Sequence, residues 1–348
     1  MRTLRNAMLL ATLPCTVGGC AATTAALMPS SQAATTTTRG TPQHYVFFSR
    51  DHDRIAEPSF LQHEGIAGAQ LTYTWRELEP ERDRYELQPL RDRLAFLERH
   101  GKRLIVQLQD VSFSENVLVP EYLRTDTTFH GGAARKYEGV DSAARFDGWV
   151  ARRWDPAVRG RFIKLLEVLG KEFDGRMEGL VIPETAVGFH DPKLHPPGFT
   201  YDEYAAGIRE MMSGARRAFT RSRVIIYANF MPGERLPDND KGYLRSVYAH
   251  AHSIGAGVGG PDILPHRRWQ LRHSYPLIAA RPAGVVAAVA VQDGNLAEKN
   301  PATGERVTVA ELYRFAKDYL RLDYIFWGMQ EPYYSTEILP YLRDLQAR

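Results

Sequence analysis

The segment Gly179-Leu-Val-Ile-Pro183, followed at once by Glu184, is a short apolar run typical of a buried strand. A helical pattern precedes it from Val158 to Phe173, and another follows it from Tyr201 to Phe219. The next apolar run is Arg223-Val-Ile-Ile-Tyr227. A strand, a helix and a second strand in this order predict a βαβ unit on a parallel sheet.

The same alternation extends in both directions along the chain. Six further apolar runs share it: Tyr45–Ser49, Gly68–Tyr73, Arg103–Gln107, Ala256–Gly259, Val285–Val291 and Tyr324–Trp327. Eight strand–helix alternations over about 300 residues predict a closed (β/α)8 TIM barrel in a single α/β domain. An open doubly wound sheet is the alternative, but no glycine-rich phosphate-binding loop follows the first run.

Composition excludes several classes of function. The 348 residues include 44 Lys and Arg and 41 Asp and Glu, interspersed along the chain, so no basic stripe predicts a nucleic-acid partner. Cys15 and Cys20 are the only cysteines, which leaves the body of the chain without a disulfide, a cysteine nucleophile or a cysteine-based metal site. His190, His195 and His266 show no ligand pairing, and we expect neither a metal nor another cofactor.

The first 20 residues have the features of an export signal. Arg2 and Arg5 precede an apolar run from Ala7 to Leu13, which is too short to span a membrane. Val17-Gly18-Gly19-Cys20 resembles a bacterial lipobox. This resemblance implies that Cys20 is lipidated and that the lipid is the protein's only contact with a membrane.

The segment after the signal is a predicted tether. Residues 21–42 are rich in Thr, Ala and Ser, and they lead into the barrel over residues 43–348. Ser31-Gln32-Ala33 offers an ordinary cleavage site, so plain secretion or periplasmic release is the alternative to a lipoprotein. Both interpretations predict a protein outside the cytoplasm.

The residues that carry chemistry are expected where strands end, because the loops at the carboxyl ends of barrel strands form the cleft. These positions hold carboxylates, amides and aromatic residues: Trp75, Gln109, Asp110, Glu184, Asn229, Asp262, Gln292, Asp293, Trp327, Glu331 and Tyr333. Such side chains suit sugars, and hydrolysis of a glycosidic bond needs two carboxyl groups across the scissile oxygen. The long stretch from Val111 to Trp154 is expected to be an elaborated loop on this face.

Several motifs resemble clan A glycoside hydrolases, in particular those related to families 42 and 5. Trp75-Arg-Glu-Leu-Glu-Pro-Glu-Arg-Asp-Arg-Tyr85 is similar to the signature at the end of their second strand. Trp154-Asp-Pro-Ala-Val158 and Ile182-Pro-Glu-Thr185 are similar to the helix and the glutamate of their fourth strand. Phe326-Trp327 is similar to the tryptophan of their eighth strand.

The resemblance implies that Glu184 is the general acid/base. Its partner would be a glutamate at the end of the seventh strand, but that strand ends in Val291-Gln292-Asp293. Asp293 is then a shortened nucleophile, or Glu331 takes the second role, or Gln292 marks a changed or lost hydrolytic mechanism.

The leading hypothesis is a glycosidase that acts on an extracytoplasmic poly- or oligosaccharide. The catalytic candidates are Glu184, Asp293 and Glu331. Substrate binding is expected from Trp75, Gln109, Asn229, Asp262, Gln292, Trp327 and Tyr333, although the two tryptophans are interpreted equally well as core residues at the barrel rim. The alternative is a carbohydrate-binding or polysaccharide-assembly barrel lipoprotein that has no catalytic activity.

Overall fold

The computed structural model describes residues 40–347. Its strands are β1 (Gln43–Ser49), β2 (Gly68–Thr74), β3 (Arg103–Gln109), β4 (Ala133–Glu138), β5 (Arg145–Ala151), β6 (Gly179–Ile182), β7 (Arg223–Tyr227), β8 (Gly257–Gly260), β9 (Ala287–Val291) and β10 (Tyr324–Gly328). All except β4 and β5 pair in parallel and close into one barrel. The predicted TIM barrel is confirmed, and its first and last strands are adjacent, with Val46 opposite Trp327.

Helices connect the strands on the outside of the barrel. They are α1 (Pro58–Leu61), α2 (Trp75–Leu78), α3 (Gln88–Arg99), α4 (Glu121–Thr125), α5 (Pro156–Phe173), α6 (Tyr201–Ala218), α7 (Tyr243–Ile254), α8 (Arg268–Arg272), α9 (Ser274–Ala279), α10 (Val309–Arg314) and α11 (Leu339–Gln346). None of the helices within residues 40–347 is long and apolar enough to cross a membrane. The signal segment, Cys20 and the tether up to residue 39 lie outside the described residues.

The start of α5 shows how the sequence specifies a helix. The Asp155 side chain accepts a hydrogen bond of 2.9 Å from the backbone N–H of Ala157, and Pro156 occupies the first helical position. Val158, Phe162 and Leu165 recur at helical spacing and are buried. Burial of each such side chain stabilises the fold by roughly 1.5–3 kcal/mol.

The strands divide their side chains between two cores because successive residues point to opposite faces. Tyr45 and Phe326 pack inside the barrel. Their neighbours Val46 and Trp327 pack in the outer core, which the helices cover. At the carboxyl end of the barrel, the loops that follow several strands bring polar side chains together.

The stretch between β3 and α5 is the main elaboration of the barrel. It contains α4 and an antiparallel hairpin of β4 and β5. On one side the hairpin is bonded to the end of β3, where the N–H of Ala151 donates to the carbonyl of Asp110 at 2.9 Å. On the other side the N–H of Asp141 donates to the Asp191 carboxylate at 2.9 Å, in the loop after β6. The hairpin thus lies at the carboxyl end of the barrel.

Candidate active site

Glu184 lies two residues beyond the end of β6, in the loop that faces the cleft. Its Oε2 accepts a hydrogen bond of 2.7 Å from Nδ2 of Asn229, which lies two residues beyond the end of β7. Within residues 40–347, no protein group hydrogen-bonds Oε1 of Glu184. One carboxylate oxygen is held in position while the other is available to a ligand.

The surroundings of Glu184 favour its protonated form. Burial of the carboxyl group raises the pKa of Glu184 to about 7, although part of the residue reaches the cleft surface. The hydrogen bond from Asn229 opposes this shift, the nearby Asp262 carboxylate adds to it, and the charges of Lys136 and Arg153 oppose it. At neutral pH such a group exists in both protonation states, so it can donate or accept a proton.

Asp262, two residues beyond the end of β8, is held in the same way as Glu184. Its Oδ1 accepts a hydrogen bond of 2.9 Å from Nδ2 of Asn295. Asn295 is itself fixed, because its Oδ1 accepts hydrogen bonds of 3.1 Å from the backbone N–H groups of Ile263 and Gln292. Burial raises the pKa of Asp262, and the bond from Asn295 opposes the shift. The structure thus brings two partly desolvated carboxyl groups together.

Tyr227, the last residue of β7, lies near these two carboxyl groups. Its side chain points into the barrel, and its hydroxyl accepts a hydrogen bond of 3.2 Å from Nε2 of Gln70. Burial raises the pKa of Tyr227 well above its usual value, and the charges of Asp262 and Glu184 raise it further. The phenol therefore stays protonated beside the two carboxyl groups.

A buried ion pair fixes the main chain at Glu184. Arg153 and Asp110 form a bidentate pair, with Nε–Oδ2 and Nη2–Oδ1 distances of 2.9 and 2.6 Å, and both side chains are fully buried. Arg153 Nη1 also donates to the carbonyl of Glu184 at 2.8 Å and to the Tyr204 hydroxyl at 3.0 Å. The Tyr204 hydroxyl in turn donates to the carbonyl of Thr185 at 3.0 Å. Charge-assisted bonds of this kind hold the backbone of the β6 loop rigidly.

Lys136 brings a positive charge to the site from the β4–β5 hairpin. Its side chain is 1% exposed, forms an ion pair with Asp147, and places Nζ 3.7 Å from the ring centroid of Phe113. Burial lowers the pKa of Lys136, while Asp147 and then Glu184 raise it. The hairpin is therefore electrostatically coupled to the Glu184 carboxyl group.

The two sequence-predicted partners of Glu184 lie on the exposed rim. Asp293 is exposed in the loop after β9. Glu331 is exposed after β10, where its carboxylate accepts hydrogen bonds from the hydroxyl (2.6 Å) and the backbone N–H (3.2 Å) of Ser335. Asp262 is among the main influences on the pKa of Glu184, and Asp293 and Glu331 are not. Asp262, which was expected to bind substrate, is the carboxylate that raises the pKa of Glu184.

The other predicted polar residues are distributed around the cleft. Asn229 is in contact with Glu184, as described above. Gln109 at the end of β3 accepts a hydrogen bond of 2.9 Å from Nη2 of Arg50. Gln292 is partly buried beside Asn295, and Tyr333 is partly buried with the Arg306 guanidinium 4.7 Å from its ring centroid.

The two tryptophans are corrections to the sequence-based expectation of sugar platforms. Trp75 and Trp327 are both 0% exposed and pack in the outer core, away from the cleft. Trp75 Nε1 donates to Oε2 of Glu79 at 2.9 Å, and Trp327 Nε1 donates to Nδ1 of His44 at 3.0 Å. Their alternative interpretation as core residues fits this structure.

Sequence reasoning missed several residues that the structure adds to the site: Lys136, Arg153, Tyr204, Tyr227 and Asn295. Tyr227 ends a predicted strand, so its position was open to the same reasoning that selected Glu184. The remainder carried no local signal. Residues 40–347 contain no group of three or more His, Cys, Asp or Glu side chains arranged to hold a metal ion.

Comparison with known proteins bears on the fold. No family model and no curated protein matches the chain. A variant of GH5_18 from Streptomyces cattleya in complex with Manb1-4GlcNAc is similar with a TM-score of 0.51 and 15% identity, covering 82% of this chain and 70% of that chain. GH5_18 from the same organism in complex with GlcNAc gives a TM-score of 0.50 and 13% identity, covering 83% and 71%. At these identities, the likeness establishes the TIM-barrel fold alone.

Proposed function

We propose that the protein is a glycoside hydrolase that acts on an extracytoplasmic poly- or oligosaccharide, with Glu184 as proton donor and Asp262 as the second carboxyl group. One observation carries the proposal. Two carboxyl groups lie at the carboxyl ends of β6 and β8, each with one oxygen held by an asparagine and the other unbonded within the described chain. The charge of Asp262 raises the pKa of Glu184, so the two groups are close enough to interact.

The chemistry follows from these two environments. Glu184, with a pKa of about 7, keeps a proton near neutral pH and donates it from Oε1 to the glycosidic oxygen as the bond breaks. Asp262 in its ionised form stabilises the positive charge that develops on the sugar ring, and it serves as nucleophile or as base for a water. Asn229 and Asn295 keep the two carboxyl groups aimed into the cleft.

Solvation and hydrogen bonding favour Asp262 over Asp293 and Glu331 as the second carboxyl group. A second carboxyl group must lie across the scissile bond from the first, and the electrostatic coupling to Glu184 marks Asp262 as near. Asp293 is exposed on the rim, and both oxygens of Glu331 are already bonded to Ser335.

A carbohydrate-binding barrel without turnover is the second candidate. It is favoured by Gln292, which occupies the end of β9, where the resemblance to clan A hydrolases calls for a glutamate. An amide can bind a sugar hydroxyl but cannot act as nucleophile or base. A polysaccharide-assembly lipoprotein would retain the same cleft.

The test is a panel of bacterial polysaccharides and oligosaccharides, with released reducing ends as the readout. We expect at least one substrate to be cleaved by the wild type. Glu184→Gln and Asp262→Asn should each lower kcat by a factor on the order of 10² or more. Asp293→Asn and Glu331→Gln make the same chemical change on the rim, and their kcat should stay close to wild type.

Two outcomes contradict the proposal. If Asp293→Asn or Glu331→Gln abolishes turnover while Asp262→Asn does not, Asp262 is not the second carboxyl group. If no member of the panel is cleaved and some are bound by wild type and Glu184→Gln alike, the function is carbohydrate binding without turnover.

A further inference from the structure

A cavity of about 280 Å³ opens beside the proposed catalytic residues. Its walls come from the loops after β6, β7 and β8, the same loops that carry Glu184, Asn229 and Asp262. Ala186 lines it two residues after Glu184, and Phe230 lines it directly after Asn229. A glycan chain bound across the two carboxyl groups would therefore extend into this cavity.

Aromatic side chains give the cavity an apolar surface. Trp269, in α8, is 42% exposed, whereas Trp75 and Trp327 are fully buried. Phe230 is partly buried and presents its ring to the same space. Exposed rings that border a cleft are the usual platform for the apolar faces of sugars, since their burial on binding is favourable.

Arg235 places a positive charge over this surface. Its guanidinium carbon lies 4.6 Å from the ring centroid of Trp269, and the side chain is exposed. Among the described residues, no carboxylate forms an ion pair with Arg235. A guanidinium stacked on an indole is held in one orientation, and its N–H groups remain available in the plane for a bidentate acceptor.

The other charged residues of the cavity are already engaged. Glu234 accepts hydrogen bonds from the backbone N–H groups of Lys241, Tyr243 and Leu244 at 2.6–3.0 Å, so its charge is directed at the start of α7. Arg267 forms an ion pair with Glu298. Arg235 is consequently the cation of the cavity that has no anionic partner within the described chain.

We propose that this cavity is a subsite for a sugar that bears a carboxylate, a uronic acid unit, with Arg235 as the group that recognises the carboxylate. The inference rests on the proposed function, because it assigns a substrate class to the same cleft. The planar carboxylate matches the two parallel N–H groups of the guanidinium. Gln270 also lines the cavity, and a side-chain amide can hydrogen-bond a sugar hydroxyl.

The test measures binding by affinity electrophoresis in gels that contain alginate, polygalacturonate or hyaluronan. Parallel gels contain the carboxyl-reduced, neutral form of each polymer. Wild type should be retarded by at least one acidic polymer and much less by its reduced form. Arg235→Gln should weaken that binding about tenfold, the amount expected for one charge-assisted hydrogen bond.

Arg268→Gln is the matched control. Arg268 is exposed next to the cavity residues Arg267 and Trp269 but does not line the cavity, and the substitution removes the same charge. It should bind like wild type. The proposal is overturned if no acidic polymer is bound, if the reduced form binds equally well, or if Arg268→Gln and Arg235→Gln weaken binding equally.

Different results would contradict the proposed subsite and the proposed hydrolase activity. Binding that depends on Arg235 and survives in Glu184→Gln supports the subsite, whether or not the polymer is cleaved. Cleavage of a neutral glycan that depends on Glu184 and is unchanged in Arg235→Gln supports the hydrolase and overturns the subsite.

Discussion

The side-chain amide of Asn229 donates a hydrogen bond of 2.7 Å to Oε2 of Glu184. Asn295 makes the equivalent bond, 2.9 Å long, to Oδ1 of Asp262. In both cases the amide stabilises the charged form of a carboxyl group whose pKa burial raises. Burial outweighs the hydrogen bond at Glu184, and the resulting pKa of about 7 lets this group change its protonation state near neutral pH. A general acid/base requires this property.

The raised pKa of Glu184 predicts a pH-dependent stability. The folded protein binds this proton more tightly than the unfolded chain, so the contribution is most favourable below pH 4.5 and is lost as the pH rises to about 7. Glu184→Gln has no such titration. We expect the variant to gain about 3 kcal/mol in unfolding free energy relative to wild type between pH 4.5 and 8.

Urea denaturation of the two proteins at both pH values measures this difference. The two proteins differ only at residue 184, so the comparison reports the titration of Glu184 together with its effect on neighbouring charges. A stability difference that is the same at both pH values contradicts the assignment of a raised pKa.

Lys136 is expected to change the pKa of Glu184 and so the pH dependence of catalysis. Its charge lowers the pKa of Glu184, and Lys136→Met removes the charge with little change in side-chain length. The alkaline limb of the kcat/KM profile should therefore move to higher pH, since a general acid must be protonated in the free enzyme. Lys164→Met, on the exposed face of α5, is the matched control and should leave the limb unchanged. An unmoved limb in Lys136→Met would show that the hairpin does not act on Glu184.

Loss of one partner of the buried Arg153–Asp110 ion pair is predicted to lower the unfolding free energy more than replacement of both partners by apolar residues. Arg153→Met or Asp110→Leu alone leaves an unpaired buried charge and should lower the unfolding free energy by about 3–5 kcal/mol. The double variant should lose clearly less than the sum of the two single variants. Arg176→Met breaks an exposed pair with Glu98 and should cost at most about 1 kcal/mol. Additive losses in the double variant would refute the coupling.

Export is predicted from residues outside the described part of the chain. We expect metabolic labelling with a fatty acid to mark the wild-type protein and not Cys20→Ala, because the resemblance to a lipobox predicts that the thiol of Cys20 carries the lipid. Cell fractionation should then find Cys20→Ala released from the membrane. Absence of label from both proteins would favour plain secretion after cleavage near Ala33.

The barrel could be predicted from the sequence because each strand is a continuous apolar run bounded by helical periodicity. Glu184 and Asn229 could be selected for the same reason, since each follows directly on such a run. The side of the barrel wall to which a side chain points could not be predicted from the runs alone, because it also depends on the position of the residue in the alternation along the strand. Trp327 follows Phe326, which points into the barrel, so Trp327 must point outward.

The contacts of the site needed the three-dimensional structure. Arg153 meets Asp110 across 43 residues of sequence and Tyr204 across 51, and no local pattern indicates such pairs. The sequence alone predicts an exposed lysine at Lys136. The stretch around it lacks the alternation of apolar and polar residues that is typical of a strand with one buried face. Its role near Glu184 depends on the hairpin folding back over the end of the barrel.

The proton-donor role of Glu184 is tested most directly by varying the leaving group of the substrate. Glu184→Gln is compared with wild type on two glycosides of the sugar found in the panel, one with an ordinary sugar leaving group and one with dinitrophenolate. Dinitrophenolate departs without a proton. The prediction is a loss of kcat on the order of 10² or more for the sugar leaving group and a small loss for dinitrophenolate. Equal losses on the two substrates, or no loss on either, would contradict the role of Glu184 as general acid.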